Sequence, residues 1–227
     1  MSNFVKIIAF DLETTGLDVS KDEIIEIGAI LFSVKENRGR MVPEKLDEFQ
    51  SLVKASKPIS SESEASKVNK ITDEMLSNAP SCTEVLQKFK AFCDSSNCLV
   101  AHNADAFDKR FLSAAYGKHS VPVPTQPILD SIKMARNIIQ LPNYKLATLA
   151  KALEARNEIS LKTKEDEMHR AGYDCEMLMH IFVALLRGRL SGEEWTAQEF
   201  LQALKKKDFH QDSTQIKPVR QKATGFF

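Results

Sequence analysis

At 227 residues, 43% apolar and 27% charged, the chain has the make-up of an ordinary soluble globular protein, with room for one well-packed domain and an appendage. Its 31 basic and 31 acidic residues cancel, which excludes a whole-molecule basic field for nucleic acid and requires any basic patch to be local. No apolar run approaches the ~18 residues of a membrane span, and "MSNFVKIIAF" has neither the length nor the cleavage site of a signal peptide, so a cytoplasmic protein without membrane contact is expected.

Residues 4–10 are apolar on both faces, as a central strand should be, and "TTG" at 14–16 ends them. "IIEIGAILFSV", 24–34, reads as a second strand, and the charged stretch 35–45 as a hairpin-like connection. "EFQSLVK", 48–54, alternates and reads as a third strand. Residues 55–80 are polar, with short helical turns at best. "SCTE" at 81–84 fits a capping box before Val85, Phe89 and Phe92 at helical spacing. "CLVAH", 98–102, is a short strand, and 105–116 a helix ending at Gly117. Prolines at 122, 124 and 127 give an extended linker before "ILDSIKMAR". Leu146, Leu149, Ala150 and Leu153 mark a further helix, and Met177, Leu178, Ile181, Phe182 and Leu185 stripe a last core helix from about Gly172.

Strands first, then alternating strands and helices, predict an α/β fold with a mixed sheet and helices packed on it. The expected domain spans residues 1–190. A short amphipathic helix is expected within 191–207, opened by the capping-box pattern "TAQE". Residues 208–227 read as a disordered basic tail; from Lys205 to Lys222 there are six Lys/Arg against two Asp. The cysteines, Cys82, Cys93, Cys98 and Cys175, form no C-x-x-C pair and read as reduced thiols.

Asp11 and Glu13 interrupt the first strand. Side chains alternate along a strand, so both project from one face while Leu12 takes the other. Two adjacent buried carboxylates repel, so they need solvent, cationic partners or a divalent metal. In "AHNADAFDKRFL", 101–112, Asp108 sits among Phe107, Phe111 and Leu112, and its sequence neighbours Lys109 and Arg110 face it poorly on a helix. In "HRAGYDCEM", 169–177, His169 precedes a helix whose first turn holds Asp174, where the helix dipole alone would suit an acid. Each segment has a bland explanation in isolation. In the order D-x-E, D, H-x4-D they form four carboxylates and one His at the edges of apolar elements. Carboxylates suit Mg²⁺ or Mn²⁺, two of which can clamp a phosphodiester, and a His can take a proton from water near neutral pH.

These three motifs resemble those of the DEDDh, or DnaQ-like, 3′–5′ exonucleases, the group that includes the proofreading epsilon subunit of bacterial DNA polymerase III. "KITDEML" (70–76), "ILDSIKMAR" (128–136) and "YKLATLAKAL" (144–153) fit in order, so the resemblance covers about residues 4–188. It implies an RNase H-like fold with a mixed five-stranded sheet flanked by helices. It implies two divalent ions, Mg²⁺ or Mn²⁺, held by Asp11, Glu13 and Asp174 directly and by Asp108 mainly through water, with His169 as general base. Thr14, Thr15, Gly16 and Leu17 would contact the terminal nucleotide, with His102 and Asn103 as substrate-side support. The implied substrate is the 3′ end of single-stranded DNA, released as nucleoside 5′-monophosphates in proofreading or repair. RNA is the alternative polymer, and a non-catalytic polymerase-associated subunit the alternative role. A polymerase or sliding clamp is the expected partner of the C-terminal extension. Two departures stand out: Asn69-Lys70 replaces a common His-Gly, and the second motif has one extra residue between His102 and Asp108. Phe107, Tyr116, Lys109 and Arg110 are candidates for touching a single strand.

Overall fold

A computed structural model describes residues 5–37, 40–60, 63–160 and 170–187. His169 lies outside these, as do the expected helix at 191–207 and the tail at 208–227. The five strands are β1 (Lys6–Thr14), β2 (Ile24–Asn37), β3 (Arg40–Leu52), β4 (Cys98–Ala101) and β5 (Ile128–Asp130). They form one sheet in the order β3-β2-β1-β4-β5. β1 is antiparallel to β2 and parallel to β4, and β4 is parallel to β5, which makes the sheet mixed. Seven helices are described: α1 (Glu64–Asn69), α2 (Asp73–Leu76), α3 (Cys82–Cys93), α4 (Asp108–His119), α5 (Ser131–Arg136), α6 (Leu146–Ala155) and α7 (Ala171–Arg187).

The central strand owes its place to a run of residues that are apolar on both sides. Ile7, Ile8, Ala9 and Phe10 are all 0% exposed. Ile7 and Ala9 join Ile30, Phe32 and Val100 in a core covered by α5, α6 and α7. Ile8, Phe10 and Leu12 join Ala29, Leu31 and Leu99 in a second core covered by α3 and α4. Burying each such Ile or Phe stabilises the fold by about 1.5–3 kcal/mol relative to exposure. A third, smaller cluster of Ile25, Ile71 and Leu76 fastens α1 and α2 beside the end of β1.

Two expectations need correction. Residues 35–45 are not a connection: β2 and β3 continue through them, paired as far as Asn37↔Arg40. The polarity reflects an exposed two-stranded arm, where a cross-strand Lys35–Glu44 ion pair stands in for apolar alternation. Pro43 is tolerated because β3 is the edge strand and no neighbour needs its missing N–H. The fourth helix starts at Asp108 rather than 105 and runs through Gly117. Residues before it turn, with Asn103 at φ 69°, and Ser120 at φ 53° closes the helix with its N–H on the Tyr116 and Gly117 carbonyls. The capping box of α3, Ser81 with Glu84, forms as expected.

Candidate active site

β1 runs out at a bulge between Glu13 and Thr14, where its register with β2 shifts. Asp11 and Glu13 lie just inside that end, on the α7 side of the sheet, opposite Gly28 and Glu26 of β2. α7 brings Asp174 to them in its first turn. One oxygen from each of Asp11, Glu13 and Asp174 lies within 4.8 Å of the other two. This is the grouping expected from sequence, and it is built from residues more than 160 positions apart in the chain.

Asp108 opens α4 nearby and is 1% exposed. Neither of its oxygens has a hydrogen-bond partner among the described residues. Its neighbour Lys109 pairs with Asp105 instead. An unsatisfied buried carboxylate calls for a physical reason, and the electrostatics supply one. Burial pushes Asp108 up to about 8, with the Asp130 charge adding to it and its own backbone N–H opposing. Glu13 also rises to about 8, through burial and then the Asp174 and Glu26 charges, against the pull of Asn69 and Arg170. Asp11 is held well above the carboxylate range by burial and by Asp108, Glu13 and Asp174. Asp11, Glu13 and Asp108, with the Asp174 carboxyl beside them, cannot all ionise side by side near neutral pH without a cation. Oxygen donors of this number and hardness fit Mg²⁺ or Mn²⁺.

The cluster floors a groove of about 460 Å³, within the size range of small-molecule pockets. One wall is the Thr14–Leu17 turn, the other is Ser63, Ala65, Val68 and Asn69 at α1, and Phe107 closes an end. The turn is braced internally. Thr14 Oγ1 donates to the Gly16 carbonyl at 2.6 Å, and Thr15 Oγ1 to Asp22 Oδ1 at 3.1 Å. At Gly16 a Cβ would lie 2.5 Å from Asp22 Oδ2, so a side chain there would displace the carboxylate that accepts from Thr15 Oγ1 and Asp18 N. The brace holds Leu17 outward, 85% exposed, with Val68 on the facing wall at 46%. Asn69 spans the two walls, donating to the Thr14 carbonyl at 3.3 Å and accepting from Ile71 N at 3.0 Å. Its amide therefore serves as a bracket, which needs no titratable ring.

Some expected contacts sit elsewhere. His102 and Asn103 do not line the groove. His102 Nδ1 lies 2.8 Å from Ser131 Oγ and Nε2 2.7 Å from the Tyr144 carbonyl, so the ring ties β4 to α5 and the loop before α6. Burial lowers its pKa, which favours the neutral ring such bonds use. Tyr116 is 1% exposed with its hydroxyl on the Leu86 carbonyl, which removes it as a stacking platform. Apart from Asn69, sequence reasoning passed over the α1 wall, because residues 55–80 look featureless, and it passed over Glu26. An acid between Ile25 and Ile27 in an apolar strand is the same signal that singled out Asp11 and Glu13.

The model of the Exonuclease family, RNase_T, matches residues 8–182. The chain belongs to this exonuclease family. It is 36% identical over 179 residues to a DNA polymerase III PolC-type of Streptococcus mutans, covering 78% of this chain and 11% of that protein. A Streptococcus pyogenes protein of the same description is 37% identical over 180 residues, covering 79% of this chain and 11% of its own length. The chain thus spans about a tenth of the length of these relatives. Among solved structures, exonuclease X in complex with 5′ overhanging duplex DNA superposes with a TM-score of 0.57 at 26% identity, covering 85% of this chain and 96% of that one. A zinc-bound E. coli ExoI–ssDNA complex superposes with a TM-score of 0.62 at 14% identity, covering 82% of this chain and 41% of its own, and bears on the fold alone. With these neighbours the exonuclease domain is RNase H-like, a mixed five-stranded sheet flanked by helices. None of its described helices is long and apolar enough to cross a membrane.

Proposed function

We propose that the chain is a metal-dependent 3′–5′ exonuclease of the DEDDh kind, shortening DNA from its 3′ end and releasing nucleoside 5′-monophosphates. The observation that carries this is the convergence of Asp11, Glu13 and Asp174 within 4.8 Å at the floor of an open groove. Asp11, Glu13 and Asp174 would hold two divalent cations directly, with Asp108 acting through water. Bound there, the cations would supply charge stabilisation at both the attacking and the leaving oxygen of a phosphodiester. The chain's own residues do the rest. Leu17 and Val68, exposed on opposite walls, grip the terminal base or sugar, while the Thr14–Gly16 backbone limits how far the 3′ end can enter. His169, one residue before Arg170 in sequence, takes the proton of the attacking water in this reading.

The comparisons support DNA as the polymer, since exonuclease X is described in complex with DNA and the PolC-type relatives are DNA polymerases. The PolC-type relatives also support a proofreading role beside a polymerase; repair, a cytoplasmic location and a sliding clamp as partner belong to the proposal alone. The test is an assay on 5′-labelled single-stranded DNA and RNA with Mg²⁺ or Mn²⁺. The expected result is stepwise shortening of DNA from the 3′ end, abolished by EDTA and reduced at least about 1,000-fold in Asp11→Ala. Equal activity of Asp11→Ala and wild type would refute the site. RNA shortened in preference to DNA would overturn the polymer, and no shortening of either would leave only a binding role.

A further inference from the structure

Glu26 of β2 is a buried acid that the proposed chemistry does not use. It is 1% exposed and faces Glu13 directly across the β1–β2 ladder. Its Oε1 accepts from Gln50 Nε2 of β3 at 2.9 Å and from Arg170 Nη2 at 3.3 Å. Arg170 starts α7: its carbonyl accepts from Tyr173 N at 3.0 Å and from Asp174 N at 3.1 Å. The same end of the helix rests on β2 without clearance. A Cβ at Gly28 would lie 2.6 Å from the Ala171 carbonyl carbon, and Ala171 is 0% exposed. Glu26 and Gly28 are alternate residues on one strand face, so one supplies an ionic tether and the other a flat seat for the same helical turn.

We infer that Glu26 and Arg170 are positioning residues, a β2-to-α7 tether that sets where Asp174 stands against Asp11 and Glu13. The inference rests on the metal-site reading above. Asp174 comes from the far end of the sequence; α7 packs along its length on the sheet, and the seating of its first turn on Glu26 and Gly28 sets the local position of Asp174. Groups behind metal ligands commonly change affinity by about 10–100-fold when removed. The alternative is that Glu26 matters only as one more negative charge near the cations. The two accounts predict opposite signs for Arg170. Removing a positive charge beside a cation site should tighten binding if charge alone matters, and should loosen it if Arg170 holds the helix turn.

The experiment is calorimetric titration of Mn²⁺ into the metal-free full-length chain, in wild type, Glu26→Gln, Arg170→Gln and the double variant. Arg170 is 44% exposed, so its replacement spares the core, and melting temperatures confirm that each variant folds. The expected result is Mn²⁺ affinity weakened about tenfold or more in Arg170→Gln and in Glu26→Gln, with the double variant no worse than the weaker single one. Arg170→Lys keeps the charge without the planar fork and falls between. Affinity in Arg170→Gln equal to or tighter than wild type overturns the tether, even if Glu26→Gln is too unstable to measure. If wild type itself fails to bind Mn²⁺, the metal-site reading fails first, a result distinct from wild type binding and Arg170→Gln binding equally well.

Discussion

Asp108→Asn separates the charge of the site from its shape. Asp108 is buried without a hydrogen-bond partner among the described residues, and its carboxyl moves from 3.8 to about 8 on folding without metal. Between those values the folded chain holds a proton that the unfolded chain has released. The sign follows: the stabilisation is fully present below about pH 4 and is lost as pH rises toward 8. A difference of one proton is a slope of about 1.4 kcal/mol per pH unit. Glu13, moved from 4.5 to about 8, adds a slope of the same sign. Together they approach ~2–3 kcal/mol per pH unit, large against a total stability of about 5–15 kcal/mol. Asp11, held well above the carboxylate range, acts in the same direction; Asp108→Asn removes the slope that belongs to Asp108. Urea unfolding in EDTA between about pH 5 and pH 8 should show wild-type stability falling with pH, and the variant's falling by about 1.4 kcal/mol less per unit. Saturating Mn²⁺ should reverse the wild-type trend, because binding favours the ionised carboxylates. Parallel pH curves for the two metal-free chains would refute the claim that Asp108 carries a folding-linked proton.

Leu17→Ala should raise KM for single-stranded DNA about tenfold with little change in kcat, because Leu17 is 85% exposed and gains its burial only from substrate; an unchanged KM in steady-state assays removes it from the groove's grip. His102→Ala should lower stability by about 1–3 kcal/mol through the orphaned Ser131 and Tyr144 groups, with KM unaffected. Gly28→Ala, with its Cβ 2.6 Å from Ala171 backbone, should cost about 1–3 kcal/mol and lower the melting temperature by several degrees.

The clustered carboxylates were legible because each breaks a local rule. An acid inside an apolar strand or on the core side of a helix has no cheap local solution, and Asp11, Glu13 and Asp108 all break that rule. The sheet was legible from strand order. What escaped detection depended on long-range packing. The α1 wall is a polar sequence in which Asn69 drew notice only as a departure from a common His, and nothing local shows that Val68 faces a groove made by other elements. His102, expected beside the substrate, becomes a strut only once Ser131 and Tyr144, 29 and 42 residues on, meet its two nitrogens. The β2–β3 arm was misjudged because cross-strand ion pairing can replace apolar alternation at a sheet edge, and pairing partners are invisible in a local window.

The position of the site follows from how β1 ends. Its first half is locked between two cores, with four consecutive residues at 0% exposure, so the strand cannot shift to separate its acids. The register shifts after Glu13, the ladder closes one pair later at Thr14↔Ile24, and the backbone then enters the braced turn that carries Leu17. Repulsion among Asp11, Glu13 and Asp174 therefore cannot be relieved by movement of the strand and must be met by protons or by cations. Asp174 is the member the sheet does not hold. It arrives on α7, and the only ionic anchor between sheet and helix at that turn, among the described residues, runs from Glu26 to Arg170. A rigid strand supplies two of the clustered acids, a seated helix supplies the third, and the gap between them is set by whichever of the two can move. In the proposed metal site, that would place the control of metal affinity on β2, one strand away from Asp11 and Glu13.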